Sequence, residues 1–120
     1  MQATDHINTY QKLQDLSAKL ISEIPETMAG FGELHVNAVA KGALDNKTKE
    51  LISLSIAISV RCNGCIAFHV HDALKAGANR QEIVETIGVA ILMGGGPSMV
   101  YGCEALEALE QFELNQDLPL

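Results

Sequence analysis

Tryptophan is absent from this sequence of 120 residues, and two tyrosines and three phenylalanines are its whole aromatic complement. A core built from such a chain must be aliphatic. Basic residues are also few, 8 against 15 acidic ones, for a net charge of −7. That excludes a nucleic-acid binder, because phosphates demand a basic face, and it disfavours an anionic membrane surface. Long apolar runs are missing too. The longest, from Leu51 to Val60, is broken by Ser53, Ser55 and Ser59 and falls short of the roughly 20 apolar residues that span a bilayer. The first residues, MQATDHINTYQKLQ, do not show the basic-then-apolar pattern of a signal peptide. A cytoplasmic, non-membrane protein of one domain over residues 1–120 is expected.

What is present is apolar and helical. Hydrophobic residues reach 48%, more than a chain this short can bury alone, so self-association is expected. The spacing predicts an all-α fold of six helices. The first runs from about His6 to Ile24, capped by Thr4 or Asp5, with Ile7, Tyr10, Leu13, Leu16, Leu20 and Ile24 on one face. The second starts at Pro25 and ends near Gly42. The third is capped by Asp45 or Asn46 and is apolar almost all round from Leu51 to Val60, which makes it central or pressed into an interface. The β-branched run ISLSIAISV would also suit a strand, but its context is helical. The fourth starts at Asn63 or Gly64 and stops at Gly77. Asn79 and Glu82 form a capping box for the fifth, and GGGP at 94–97 separates it from a sixth beginning at Pro97 or Ser98. The tail NQDLPL is expected to fray.

The chemistry concentrates in RCNGCIAFHVHD, residues 61–72. If the fourth helix begins just after Cys62, Cys65 lies in its first turn and His69 follows at i+4 on the same face. The positive end of the helix dipole and a neighbouring imidazole both favour a thiolate at Cys65. Cys62, at or before the cap, is close enough to form a disulfide with it. Cys65 reads as the nucleophile and Cys62 as its resolving partner. Glu50 lies ~18 Å from the turn along the third helix, and an antiparallel return brings His69 about 10 Å back toward it. A Glu50–His69 contact would then orient the imidazole.

Other readings stay open. The two cysteines could be inert buried thiols, or join His69 and His71 in a zinc site. His69 and His71, two apart on a helix, point to different faces, and a second CxxC is missing. His71 is therefore assigned to the surface or an interface. Cys103 is assigned to the core as a small apolar residue, and His6 and His35 give no signal of their own. The GGGP segment lacks the lysine and hydroxyl of a phosphate loop. No cofactor and no metal are expected.

Glu50, eleven residues, Cys62, two residues, Cys65, three residues and His69 resemble the signature of the carboxymuconolactone decarboxylase/alkylhydroperoxidase D (AhpD-like) superfamily. The run AFHVHDALKAGANRQEIVETIGVAILMGGGPSMVYGCEALEA extends the likeness, which covers about residues 30 to 112. The resemblance implies an all-helical homotrimer or homohexamer and an antioxidant thiol peroxidase or disulfide reductase. It implies that Cys65 attacks peroxide through a sulfenic acid, that Cys62 closes the disulfide, and that Glu50 and His69 relay protons. An external dithiol or a thioredoxin-like donor would supply electrons. The sequence departs from the peroxidase members at Gly64, where they carry a histidine. That change shortens the relay and favours disulfide exchange over peroxide reduction. Two further activities compete. A muconolactone-decarboxylating lyase would use Glu50 and His69 as acid and base, with Arg61 or Arg80 as carboxylate anchor. A non-enzymatic redox sensor would instead couple the disulfide to assembly.

Overall fold

A computed structural model describes residues 4–115. Over these residues the chain forms six α-helices and no strand: α1 (His6–Glu23), α2 (Pro25–Val39), α3 (Asn46–Ser59), α4 (Asn63–Lys75), α5 (Arg80–Gly94) and α6 (Gly96–Leu114). The all-α expectation holds. Of the tail expected to fray, residues 116–120 lie outside the described residues.

The caps follow from short polar side chains. Asp5, Asp45 and Asn79 each accept the backbone N–H three residues on, and Asn79 with Glu82 completes the expected capping box. α2 ends earlier than Gly42, at Val39, where Ala40 turns extended. α6 starts at Gly96 rather than Pro97, because Gly95 (φ 70°) makes the whole connection in one residue.

α3 and α4 form an antiparallel hairpin that packs against α5 and α6. Its core is aliphatic, as the shortage of aromatics requires: Leu54, Ile58, Ile66, Val70, Ile83 and Leu109 are fully buried. α1 lies across α4 and α6, and α2 buries no residue at all. Apolar side chains therefore remain in the open, including Phe31, Leu34 and Val36 on α2, Ile52 and Ile56 on α3 with Val60 at its C-cap, and Leu92 and Met93 on α5. α3 is thus central on one face, as expected, and uncovered on another. None of the helices is long and apolar enough to cross a membrane, among the described residues.

The turn between α3 and α4 decides where the cysteines stand. Cys62 N–H bonds to Ala57 C=O and Arg61 N–H to Ile58 C=O, the paired bonds of a Schellman ending with Arg61 as its left-handed residue (φ 61°). α4 ends with the same bonds, Ala78 to Ala73 and Gly77 to Leu74, but with glycine at the left-handed position (φ 98°). The first ending delivers Cys62 directly to the N-cap of α4.

Candidate active site

Cys62 and Cys65 are joined by a disulfide, with Cα atoms 5.2 Å apart. Cys62 caps α4 through sulfur: its Sγ accepts the Cys65 backbone N–H at 3.2 Å. Both cysteines are partly exposed at the mouth of a pocket of about 550 Å³, whose walls include Leu13, Phe31, Phe68, His69 and Asp72. Apart from its cysteines, the opening is mainly hydrocarbon and aromatic, with polar groups from Ser17, His35, His69 and Asp72.

His69 stands one turn beyond Cys65 on α4 and lines the same pocket. Its Nδ1 lies 3.2 Å from Glu50 Oε2, and the Glu50 side chain is 3% exposed. The antiparallel return of α4 along α3 creates this contact. A buried carboxylate at Nδ1 orients the ring and leaves its other nitrogen for the pocket. All four residues singled out from the sequence are thus gathered in one place: Cys62 and Cys65 joined, His69 lining their pocket, Glu50 behind His69.

Gly64, between the cysteines, also lines the pocket. A Cβ added there would lie 2.8 Å from Leu13 Cδ1. The missing side chain at this position is matched by a leucine of α1 that lies over the gap.

Two expectations need correction, and one silent histidine acquires a place. His71 is not on the surface: it is buried, stacked on Tyr10 with ring centroids 4.2 Å apart, edge-on to Phe112, and bonded through Nδ1 to Asp72 at 2.9 Å. α1 crosses α4 on that face and covers it. Burial, and then the nearby Asp72 carboxylate, hold the Tyr10 phenol above its usual range. Cys103 is not in the core but exposed on α6, where the buried positions are its neighbours Gly102 and Ala105. His6, which gave no signal, is fully buried, with Nε2 3.0 Å from Glu107 and 3.2 Å from Glu104.

His35, the other silent histidine, projects from α2 into the wall of the disulfide pocket. It carried no motif, and its neighbours in space come from α3 and α4. The cationic anchors imagined for a lyase are elsewhere. Arg80 pairs with Glu113 and Glu110, and neither Arg80 nor Arg61 is among the residues lining the pocket.

Comparison with known proteins gives this arrangement its family. The model of the carboxymuconolactone decarboxylase family matches residues 25–108. A carboxymuconolactone decarboxylase family protein from Legionella pneumophila, solved in an apo form, superposes with a TM-score of 0.87 at 46% identity, covering 89% of this chain and 96% of that one. An uncharacterized protein of Cupriavidus necator is 35% identical over 82 residues, 68% of this chain and 73% of its own length. The alkyl hydroperoxide reductase AhpD of Coxiella burnetii is 32% identical over 62 residues, which are 52% of this chain and 35% of that protein. The chain belongs to the carboxymuconolactone decarboxylase family.

Proposed function

We propose that this chain is a thiol-dependent oxidoreductase that cycles the Cys62–Cys65 pair between dithiol and disulfide, reducing hydroperoxides or disulfides. The observation that carries the reading is the disulfide itself, set at a helix N-terminus, open to a pocket and flanked by a histidine held on a buried glutamate. The likeness to AhpD supports the same chemistry.

The helix cap divides the labour between the sulfurs. When an external dithiol attacks Cys65 Sγ, the S–S bond breaks and Cys62 leaves as a thiolate, stabilised by the N–H it already accepts and by the helix dipole. The second donor thiol then displaces Cys65, which takes up the proton that thiol releases. Cys62 takes the proton lost by the first donor thiol, so the donor ends as a disulfide and the protein as a dithiol. In the oxidising half, Cys65 thiolate attacks the distal peroxide oxygen and alcohol departs with a proton supplied through His69. Cys62 thiolate then attacks the sulfenic sulfur, and water leaves. Two thiols and one hydroperoxide thus give one disulfide, one alcohol and one water. Glu50 steadies the imidazolium that forms whenever His69 holds the proton.

The homotrimer or homohexamer belongs to the same reading. Its support is the set of large apolar side chains left uncovered on α2, α3 and α5, since contiguous exposed apolar surface marks interaction sites. Light scattering after size exclusion should give three or six times the chain mass; a monomer ends that part of the reading.

The activity is tested by following hydroperoxide loss in the presence of excess dithiothreitol. Wild type should turn over, and peroxide-treated protein should show a linked Cys62–Cys65 peptide two hydrogens lighter than the reduced pair. Cys65→Ser should abolish turnover. Equal rates in wild type and Cys65→Ser would remove the nucleophile and the reading with it.

A further inference from the structure

Glu50 is reached from two sides. On one it meets His69 and, through it, the disulfide pocket. On the other it opens into a second pocket of about 350 Å³, which it lines with Asn46, Lys75, His35 and Asp72. His35 and Asp72 line both pockets, whereas His69 lines the first without the second and Glu50 the second without the first. The Glu50–His69 bond therefore crosses between the two openings. A His35 ring nitrogen and carboxylate oxygens of Glu50 and Asp72 all lie within 4.8 Å of one another.

These positions make a sequence of proton-bearing groups: Cys65, His69, Glu50, His35. Cys65 and His69 are partly exposed in the first pocket, Glu50 is buried, and His35 is exposed. An imidazole that serves a thiol, paired with a buried carboxylate, must exchange protons with water. It cannot do so through the disulfide pocket while a substrate fills that pocket. An imidazole is the side chain that gains and loses a proton near neutral pH. The charged and titratable groups around His35 are Glu50 from α3, His69, Asp72 and Lys75 from α4, and, once reduced, Cys65 of α4 and Cys62 at its cap; α1 contributes the uncharged Leu13 and Ser17 to the same pocket wall.

We propose that His35 is the proton port of this site, carrying protons between Glu50 and the water of the second pocket. The proposal rests on the redox reading above. When Cys65 ionises, its proton passes to His69, from His69 to Glu50, and from Glu50 by way of water in the second pocket to His35, whose ring nitrogen lies within 4.8 Å, and out. It returns by the same route to the departing oxygen or thiolate. No electrons move along the route. His35 acts through Glu50 and touches no reacting atom.

The test compares wild type with His35→Gln, a replacement that is polar, similar in size and unable to titrate. His35 is exposed on a helix that buries nothing, so the variant should fold. The dithiol-driven kcat should fall by about tenfold or more, at the low end of or below what a positioned acid–base group usually contributes, with KM unchanged. The kcat–pH profile should change shape, and free imidazole in the buffer should restore the rate. If wild type turns over and His35→Gln matches it in kcat and pH profile, or loses rate that imidazole does not restore, the port is overturned and the redox reading stands. A wild type that turns over neither hydroperoxide nor disulfide overturns both.

Discussion

Glu50 and His69 are 19 positions apart in the chain and 3.2 Å apart in the fold. The hairpin of α3 and α4 closes that distance and buries the carboxylate. Burying a charge costs several kcal/mol, which a single partner offsets only in part.

Glu50→Gln should therefore separate function from stability. The amide keeps the size and a hydrogen bond to His69 but cannot balance an imidazolium. Turnover with dithiothreitol should fall by about 10- to 100-fold, while the urea midpoint stays level or rises. A variant that loses stability and keeps its rate would make Glu50 structural.

The two Schellman endings invite a second comparison. Arg61 and Gly77 occupy the same left-handed position, one with a Cβ and one without. A non-glycine residue there costs about 1–2 kcal/mol in principle. Arg61→Gly should raise unfolding stability by roughly 0.5–1 kcal/mol and leave Cys62 at the cap of α4. Chemical denaturation measures the gain, and thiol reactivity reports the cap. A loss of stability would mean that the arginine side chain makes up for its backbone.

Gly64 sits near the start of a helix, where alanine is ordinarily better by up to about 1 kcal/mol. Here the added Cβ meets Leu13 Cδ1 at 2.8 Å, so Gly64→Ala should gain less than that or nothing. In a Leu13→Ala background the same change should recover its helix-propensity gain, giving a coupling energy of about 0.5 kcal/mol or more in the double-mutant cycle. Strict additivity would show that the leucine moves aside freely.

How much of this was legible in the sequence depends on the reach of the interactions. Caps are local: Asp45, Asn79 with Glu82, and Gly77 act within three or four residues, and the sequence spacing finds them. The CxxC with His69 is one helical turn, and Glu50 needs just one antiparallel return to meet it. His71 failed because its surroundings are set by α1, whose Tyr10 is brought over it by the tertiary fold. His6 failed for the same reason, since its partner Glu107 is 101 positions away. Cys103 was placed in the core on its small apolar character, but its turn of α6 faces outward. The second pocket on Glu50 was invisible, because it exists where α2 passes α3 and α4 without packing deeply on either.

The last prediction concerns acid. Hydrogen bonds from Thr48 hold the Asp45 carboxyl below its usual range, and the Lys47 ammonium, 2.8 Å away, with the Asn79 N–H does the same for Glu82. A carboxylate whose folded pKa is depressed binds fewer protons in the folded state. Its contribution is in place above the unfolded pKa, near 4, and is lost as pH falls through the lower folded value. The melting temperature should therefore stay flat from about pH 7 to about pH 5 and then decline as these groups protonate. Asp45→Asn keeps a capping oxygen for Thr48 and removes the ionisation, so its decline should be shallower than that of wild type. Circular-dichroism melts across that range settle the point; parallel curves for the two proteins would show that Asp45 ionisation has no part in acid unfolding.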